Sequence, residues 1–241
     1  FVSVEVAPAL ARDTDRTTTE ARSLHELINA PNLMVKIPGT SEGLPSIRTM
    51  IGEGRSINVT LIFSVNRYIE VMESYIAGLE DAVASGKHDL SDIASVASFF
   101  ISRTDTEVDR RLEVIGTPQA LGLRGKTAVA QAQVAYQHFV ATFSGARWDV
   151  LASKGAQVQR PLWASTSTKN PNYSETLYVD ELIGPNTVNT MPDNTIEAFI
   201  SHGSVSRTID ANPTSAQSVL DSVAQIGIDL ENVAQVLEEE G

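Results

Sequence analysis

Strand-like runs alternate with helix-like ones along most of this chain. Four of the strands also keep a polar or charged residue where a fully covered sheet would carry another hydrophobe. Val2, Val4 and Val6 alternate with Ser3 and Glu5, and Leu33, Val35 and Ile37 with Met34 and Lys36. Ile57, Val59, Leu61 and Phe63 alternate with Asn58 and Thr60, while Ser98 shares a face with Phe100 in a run over 95–101. Side chains point alternately to the two faces of a strand, so each strand has an apolar face and a partly polar one. Repeated βα units imply a parallel sheet, and parallel strands covered on both faces usually read as nearly unbroken apolar runs. The polar positions suit instead a closed α/β barrel, with a polar axis near the carboxyl ends of its strands, where barrel enzymes place their chemistry. An open doubly wound sheet is the alternative. Six strands are legible, the last two near 161–165 and 187–190, whereas the usual barrel closes with eight. A barrel therefore predicts one incomplete domain over residues 1–241, with about two βα units upstream of Phe1.

The intervening stretches carry helix signals. Thr17 and Glu20 fit a capping box ahead of an apolar stripe of Ala21, Leu24, Leu27 and Ile28, and Thr104 with Glu107 fits another. A long amphipathic helix is predicted over 68–84, a Gly/Pro-containing link over 116–125, and a helix over about 127–143. Leu121-Gly122-Leu123-Arg124-Gly125-Lys126-Thr127 ends like a phosphate-binding loop. Its first glycine would fall at Ala120 and no strand precedes it, so a link and helix start is the reading.

With 241 residues, 42% of them hydrophobic, the chain has ordinary globular composition and length for a large core. Its formal net charge of -12 argues against broad nucleic-acid or anionic-membrane binding, both of which need basic surface. An anionic small substrate would need local cations. Arg103, just past the fourth strand, could clamp a phosphate through its planar guanidinium or start a helix in a salt bridge. The absence of cysteine excludes disulfides, thiol catalysis and Cys-ligated metals. His25, His88, His138 and His202 are scattered without metal spacing, so neither a metal nor another cofactor is called for. No apolar run is long enough to span a bilayer, and the cytoplasm is the default location.

The sequence centres the chemistry on Leu33-Met34-Val35-Lys36-Ile37-Pro38-Gly39-Thr40. A lysine inside a sheet is costly to desolvate without a partner or a task. Burial lowers a lysine pKa, and the neutral amine is the form that attacks a carbonyl to make an imine. The alternative is a lysine whose stem lies on apolar surface while its amine reaches water.

Several long stretches, in order, resemble the transaldolase family: Phe1-Val2-Ser3-Val4-Glu5-Val6-Ala7-Pro8, Asn32 to Thr40, Ile57-Asn58-Val59-Thr60-Leu61-Ile62-Phe63, and Ala97-Ser98-Phe99-Phe100-Ile101-Ser102-Arg103. Arg160-Pro161-Leu162-Trp163-Ala164-Ser165-Thr166-Ser167-Thr168-Lys169-Asn170-Pro171 resembles its longer-chain branch, members of which also occur fused to phosphoglucose isomerase. The resemblance implies an eight-stranded barrel and a cofactor-free transfer of a dihydroxyacetone unit between sugar phosphates of the pentose phosphate pathway. Lys36 would be the Schiff-base lysine, with Glu5 and Thr60 holding a catalytic water. Asn58 and Ser98 match hydroxyl-binding positions, Phe100 packs beside the lysine, and Arg103 and Ser165 match phosphate ligands, with Lys169 a further candidate in a longer loop. The aspartate acid/base of the family belongs to a first strand that precedes the stretches matched here. A related Schiff-base aldolase acting on fructose 6-phosphate, or a non-catalytic piece of a fused protein, are the alternatives; the oligomeric state is open.

Overall fold

The computed structural model describes residues 1–241, which form two compact units. The first comprises Phe1–Ile62, Asn66–Ser98 and Phe139–Arg160, and the second Phe63–Val65, Phe99–His138 and Pro161–Gly241. The class is α/β with a parallel sheet, as the alternating pattern predicts.

In the first unit, strands β1 (Val2–Glu5), β2 (Leu33–Pro38) and β3 (Ile57–Ile62) lie side by side, followed by the start of β4 (Ser95–Phe100). Helices α1 (Thr14–Ile28), α2 (Gly43–Gly52) and α3 (Val65–Ala84) provide the crossovers. Leu33, Val35 and Ile37 on β2 and Ile57 and Val59 on β3 are buried, as are Ile47 and Ile51 of α2, which packs on both strands. On α3 the buried residues Tyr68, Val71, Met72, Tyr75, Ile76, Leu79 and Ala82 follow the spacing of one helical face. Gly78 permits close approach to α2, since a Cβ there would lie 2.8 Å from the Arg48 carbonyl oxygen and 2.7 Å from Ile51 Cβ.

The pairing register sets the polar residues level with one another. Glu5 pairs with Lys36, and Lys36 with Asn58.

The second unit contains the end of β4, β5 (Arg160–Ala164, entering from the first unit) and β6 (Val188–Asn189), with β5 and β6 parallel. Helix α4 (Ser102–Ile115) follows β4, and α5 (Pro118–Leu121) and most of α6 (Thr127–Thr142) come next; α7 (Ala146–Ala152), which precedes β5, belongs to the first unit. The chain ends with α8 (Leu177–Asp180), α9 (Asp193–His202), α10 (Pro213–Gln225) and α11 (Leu230–Glu240). Trp163 is core, as expected for an aromatic on β5. It is 1% exposed, packs edge-on to Phe99 with centroids 6.2 Å apart, and donates its indole N–H to the Leu182 carbonyl at 3.0 Å.

Four local expectations are corrected. Helix α1 begins earlier than the Thr17 box: Asp13 is its cap, accepting from Arg16 N–H, while Thr17 is buried and donates to the Leu10 carbonyl. Leu27, expected on the apolar stripe, is 82% exposed. Helix α4 begins at Ser102, and its cap position, Ile101, offers no side-chain acceptor. Glu107 therefore serves Arg110 and Arg111 in place of a capping box. The link over 116–125 also contains a helical turn, α5, because Thr117 caps it through Ala120 N–H and Pro118 suits a first helical position.

Candidate active site

Strand β2 holds Lys36 between the register partners Glu5 and Asn58, so the three side chains leave the sheet on the same side. Lys36 Nζ lies 3.3 Å from Glu5 Oε2, with the lysine side chain 27% exposed. The lysine side chain is partly buried, and its contact with Glu5 lies open to solvent. Asn58 Nδ2 donates to Ser3 Oγ at 3.0 Å and Ser98 Oγ donates to Asn58 Oδ1 at 2.8 Å, which fixes both ends of the amide. Ser3 stands on β1 and Asn58 on β3, with β2 between them. Two strand spacings amount to roughly 9.5 Å in a flat sheet. A direct side-chain hydrogen bond over that gap requires the sheet of this unit to curl toward the face these residues share. Thr60 lies two residues beyond Asn58 on that face, 1% exposed, and its carbonyl accepts Gly39 N–H at 2.7 Å. The next residue, Leu61, has φ of 58°, a left-handed conformation that is uncommon for a bulky side chain and is held by its surroundings.

In the second unit, Phe100 closes β4 and tilts against Phe63 at 5.1 Å between centroids. The Arg103 guanidinium carbon lies 5.1 Å from the centroid of the Phe100 ring, a cation–π arrangement. Arg22, Arg48, Arg110, Arg111, Arg124, Arg147 and Arg207 all pair with carboxylates. Arg103 has no ion-pair partner, sits in the first turn of α4 and is exposed. An unpaired guanidinium at a helix N-terminus is a suitable place for an anion. Ser165, just past β5, has φ of 56° and binds the start of α4 twice. Its carbonyl accepts Ser102 N–H at 3.0 Å, and the two hydroxyls are 2.8 Å apart. Lys169 is exposed and lines a separate hollow of about 200 Å³ with Arg110, Asp105, Asp109, Glu113 and Tyr173, where the carboxylates outnumber the cations.

A buried acidic cluster escaped the sequence reading. Asp105 accepts from Ala128 N–H at 2.8 Å and from the Tyr178 hydroxyl at 2.7 Å, and burial pushes its carboxyl up to about 6 against those bonds. Asp109, one turn on, accepts from Gly125 N–H at 3.0 Å and from the Tyr173 hydroxyl, and burial raises its carboxyl too. Gly125 in the phosphate-loop-like stretch and Ala128 just after it thus give their amides to the protein's own carboxylates. The i, i+4 spacing of Asp105 and Asp109 was the visible signal, but their partners come from distant loops.

A sequence profile described as transaldolase/fructose-6-phosphate aldolase matches residues 1–241. The chain belongs to that family. It is 55% identical over 241 residues to the transaldolase of Mycolicibacterium smegmatis, and 54% identical over 242 residues to that of Mycobacterium leprae. It is also 54% identical over 241 residues to the transaldolase of Thermobifida fusca. Each match covers 100% of this chain and 64–65% of the relative, so the chain spans just under two thirds of their length. Of the positions singled out by resemblance to transaldolase, Glu5, Lys36, Asn58 and Ser98 are joined by register and hydrogen bonds in the first unit. In the second, Phe100 touches Arg103, and Ser165 is tied to the helix that carries Arg103; Lys169 stands apart.

Proposed function

We propose that this protein is a transaldolase, working within a single β/α-barrel domain and a cytoplasmic setting. It moves a dihydroxyacetone unit from a ketose phosphate such as fructose 6-phosphate to an aldose phosphate such as erythrose 4-phosphate. The observation that carries this reading is the Lys36–Glu5 contact at 3.3 Å on the polar face of a curled parallel sheet. An amine in water's reach beside a carboxylate can gain and lose the protons that imine formation requires. Lys36 Nζ adds to the ketone carbon. The resulting carbinolamine loses its hydroxyl as water and leaves a protonated imine, with Glu5 and Thr60 holding the water through which protons pass. The C4 hydroxyl gives up its proton as the C3–C4 bond breaks, and that bond's electron pair moves into the imine. Glyceraldehyde 3-phosphate departs and an enamine of the three-carbon unit remains on Lys36. Addition of that enamine to erythrose 4-phosphate and hydrolysis of the new imine give sedoheptulose 7-phosphate. Asn58 and Ser98 bind substrate hydroxyls, Phe100 walls the site, and Arg103 with Ser165 receives the phosphate, with Lys169 a more distant candidate. No residue of this chain is assigned as acid/base for the cleavage step.

The test is turnover of fructose 6-phosphate with and without erythrose 4-phosphate. Transfer predicts sustained glyceraldehyde 3-phosphate release only with the acceptor present. Steady accumulation of free dihydroxyacetone without acceptor would place the chain with the aldolases of its family instead.

A further inference from the structure

Ser102 opens α4, is 1% exposed, and its hydroxyl has one partner, the Ser165 hydroxyl at 2.8 Å. A buried hydroxyl that fails to donate forfeits a hydrogen bond it had in water. The Ser102 hydroxyl makes no other hydrogen bond, so the arrangement that uses its proton is the one in which it donates to Ser165 Oγ. A serine hydroxyl carries a single proton. With its oxygen accepting from Ser102, Ser165 keeps that proton free to donate elsewhere, and Ser165 is the half-buried member of the pair. A second bond, from Ser102 N–H to the Ser165 carbonyl at 3.0 Å, and the left-handed backbone of Ser165 hold the residue in place. We propose that Ser102 is a positioning residue for substrate phosphate: its buried hydroxyl directs the Ser165 proton toward the anion that Arg103 attracts. This rests on the assignment of Ser165 and Arg103 as phosphate ligands.

The two serines are tested singly and together. The probes are inorganic phosphate, titrated calorimetrically, and fructose 6-phosphate, followed as KM and kcat. Ser102→Ala is expected to weaken phosphate binding and raise KM about 3–10-fold, the range for one misdirected hydrogen bond, with kcat held. Borohydride trapping of phosphate-free dihydroxyacetone on Lys36 is expected to be unchanged, which also shows that the variant is folded. Adding Ser102→Ala to Ser165→Ala is expected to cost nothing further. An unaltered phosphate affinity in Ser102→Ala, or an equal loss in the Ser165→Ala background, overturns the proposal and leaves the phosphate ligands standing. A Ser165→Ala variant that binds phosphate normally overturns both.

Discussion

Arg103 carries the sharpest consequence at the level of single residues. Its guanidinium rests on the Phe100 ring and has no carboxylate partner. Replacement by alanine removes a charge-assisted contact without leaving a buried carboxylate unpaired. Arg103→Ala is expected to weaken sugar-phosphate binding by about 1.5–3 kcal/mol, read as KM for fructose 6-phosphate, with little change in melting temperature. An unaltered KM would remove it from the phosphate site. Asp105 makes a different prediction. Its carboxyl is held near 6 in the fold, against an ordinary value of 3.8, because burial penalises its charge. The folded state therefore binds the proton more tightly than the unfolded chain. The contribution of this group is fully present below about pH 4, falls as pH rises to about 6, and stays lost above that. Asp105→Asn is expected to flatten this part of the stability curve, by on the order of 2–3 kcal/mol between pH 4 and 7, measured by urea unfolding. A variant with the same pH slope as the parent would show that the carboxylate is comfortable in its cluster. The Lys36 strand was legible from its sequence because a cation amid apolar residues breaks the expected pattern. Asp105 was not, since Tyr178 and Ala128 lie far away along the chain and only folding brings them to it.

Among the elements, strands were read more accurately than helix starts, and the reason is physical. Strands β2 and β3 announce themselves by alternation over six residues, which tolerates little shift because a slip of one exchanges the two faces. Helix starts depend on which of several nearby oxygens captures the first amides. Asp13 captures the Arg16 amide and starts α1 a turn early, so Thr17 lies inside the helix, where its hydroxyl donates to the Leu10 carbonyl. Helix α4 has no side-chain cap, so its amide end keeps its positive field beside Arg103. The α2–α3 contact tests how closely these layers are fitted. Gly78→Ala would drive a methyl into the Arg48 carbonyl and Ile51. The expected cost is about 1–3 kcal/mol, seen as a melting temperature lower by several degrees. A variant as stable as the parent would mean that α3 can shift away from α2 freely.

Over the whole molecule, the charge of -12 and the exposed arginine–carboxylate pairs describe an acidic surface whose individual salt bridges contribute little. On the proposed function, recognition of an anionic sugar phosphate would come from local cations and oriented hydroxyls, not from a long-range field. No helix is long and apolar enough to cross a membrane. Membership in the transaldolase/fructose-6-phosphate aldolase family was legible because the matching stretches follow one another in order from Phe1 to Pro171. The curl that lets Asn58 reach Ser3 was not, because curvature is a property of strands together. The account stands or falls on the Lys36 amine. Borohydride reduction in the presence of fructose 6-phosphate, followed by peptide mass mapping, tests it most directly. The account predicts a reduced three-carbon unit fixed as a secondary amine on Lys36 and absent from Lys36→Arg; stable labelling of another lysine, or the same labelling in Lys36→Arg, would contradict it.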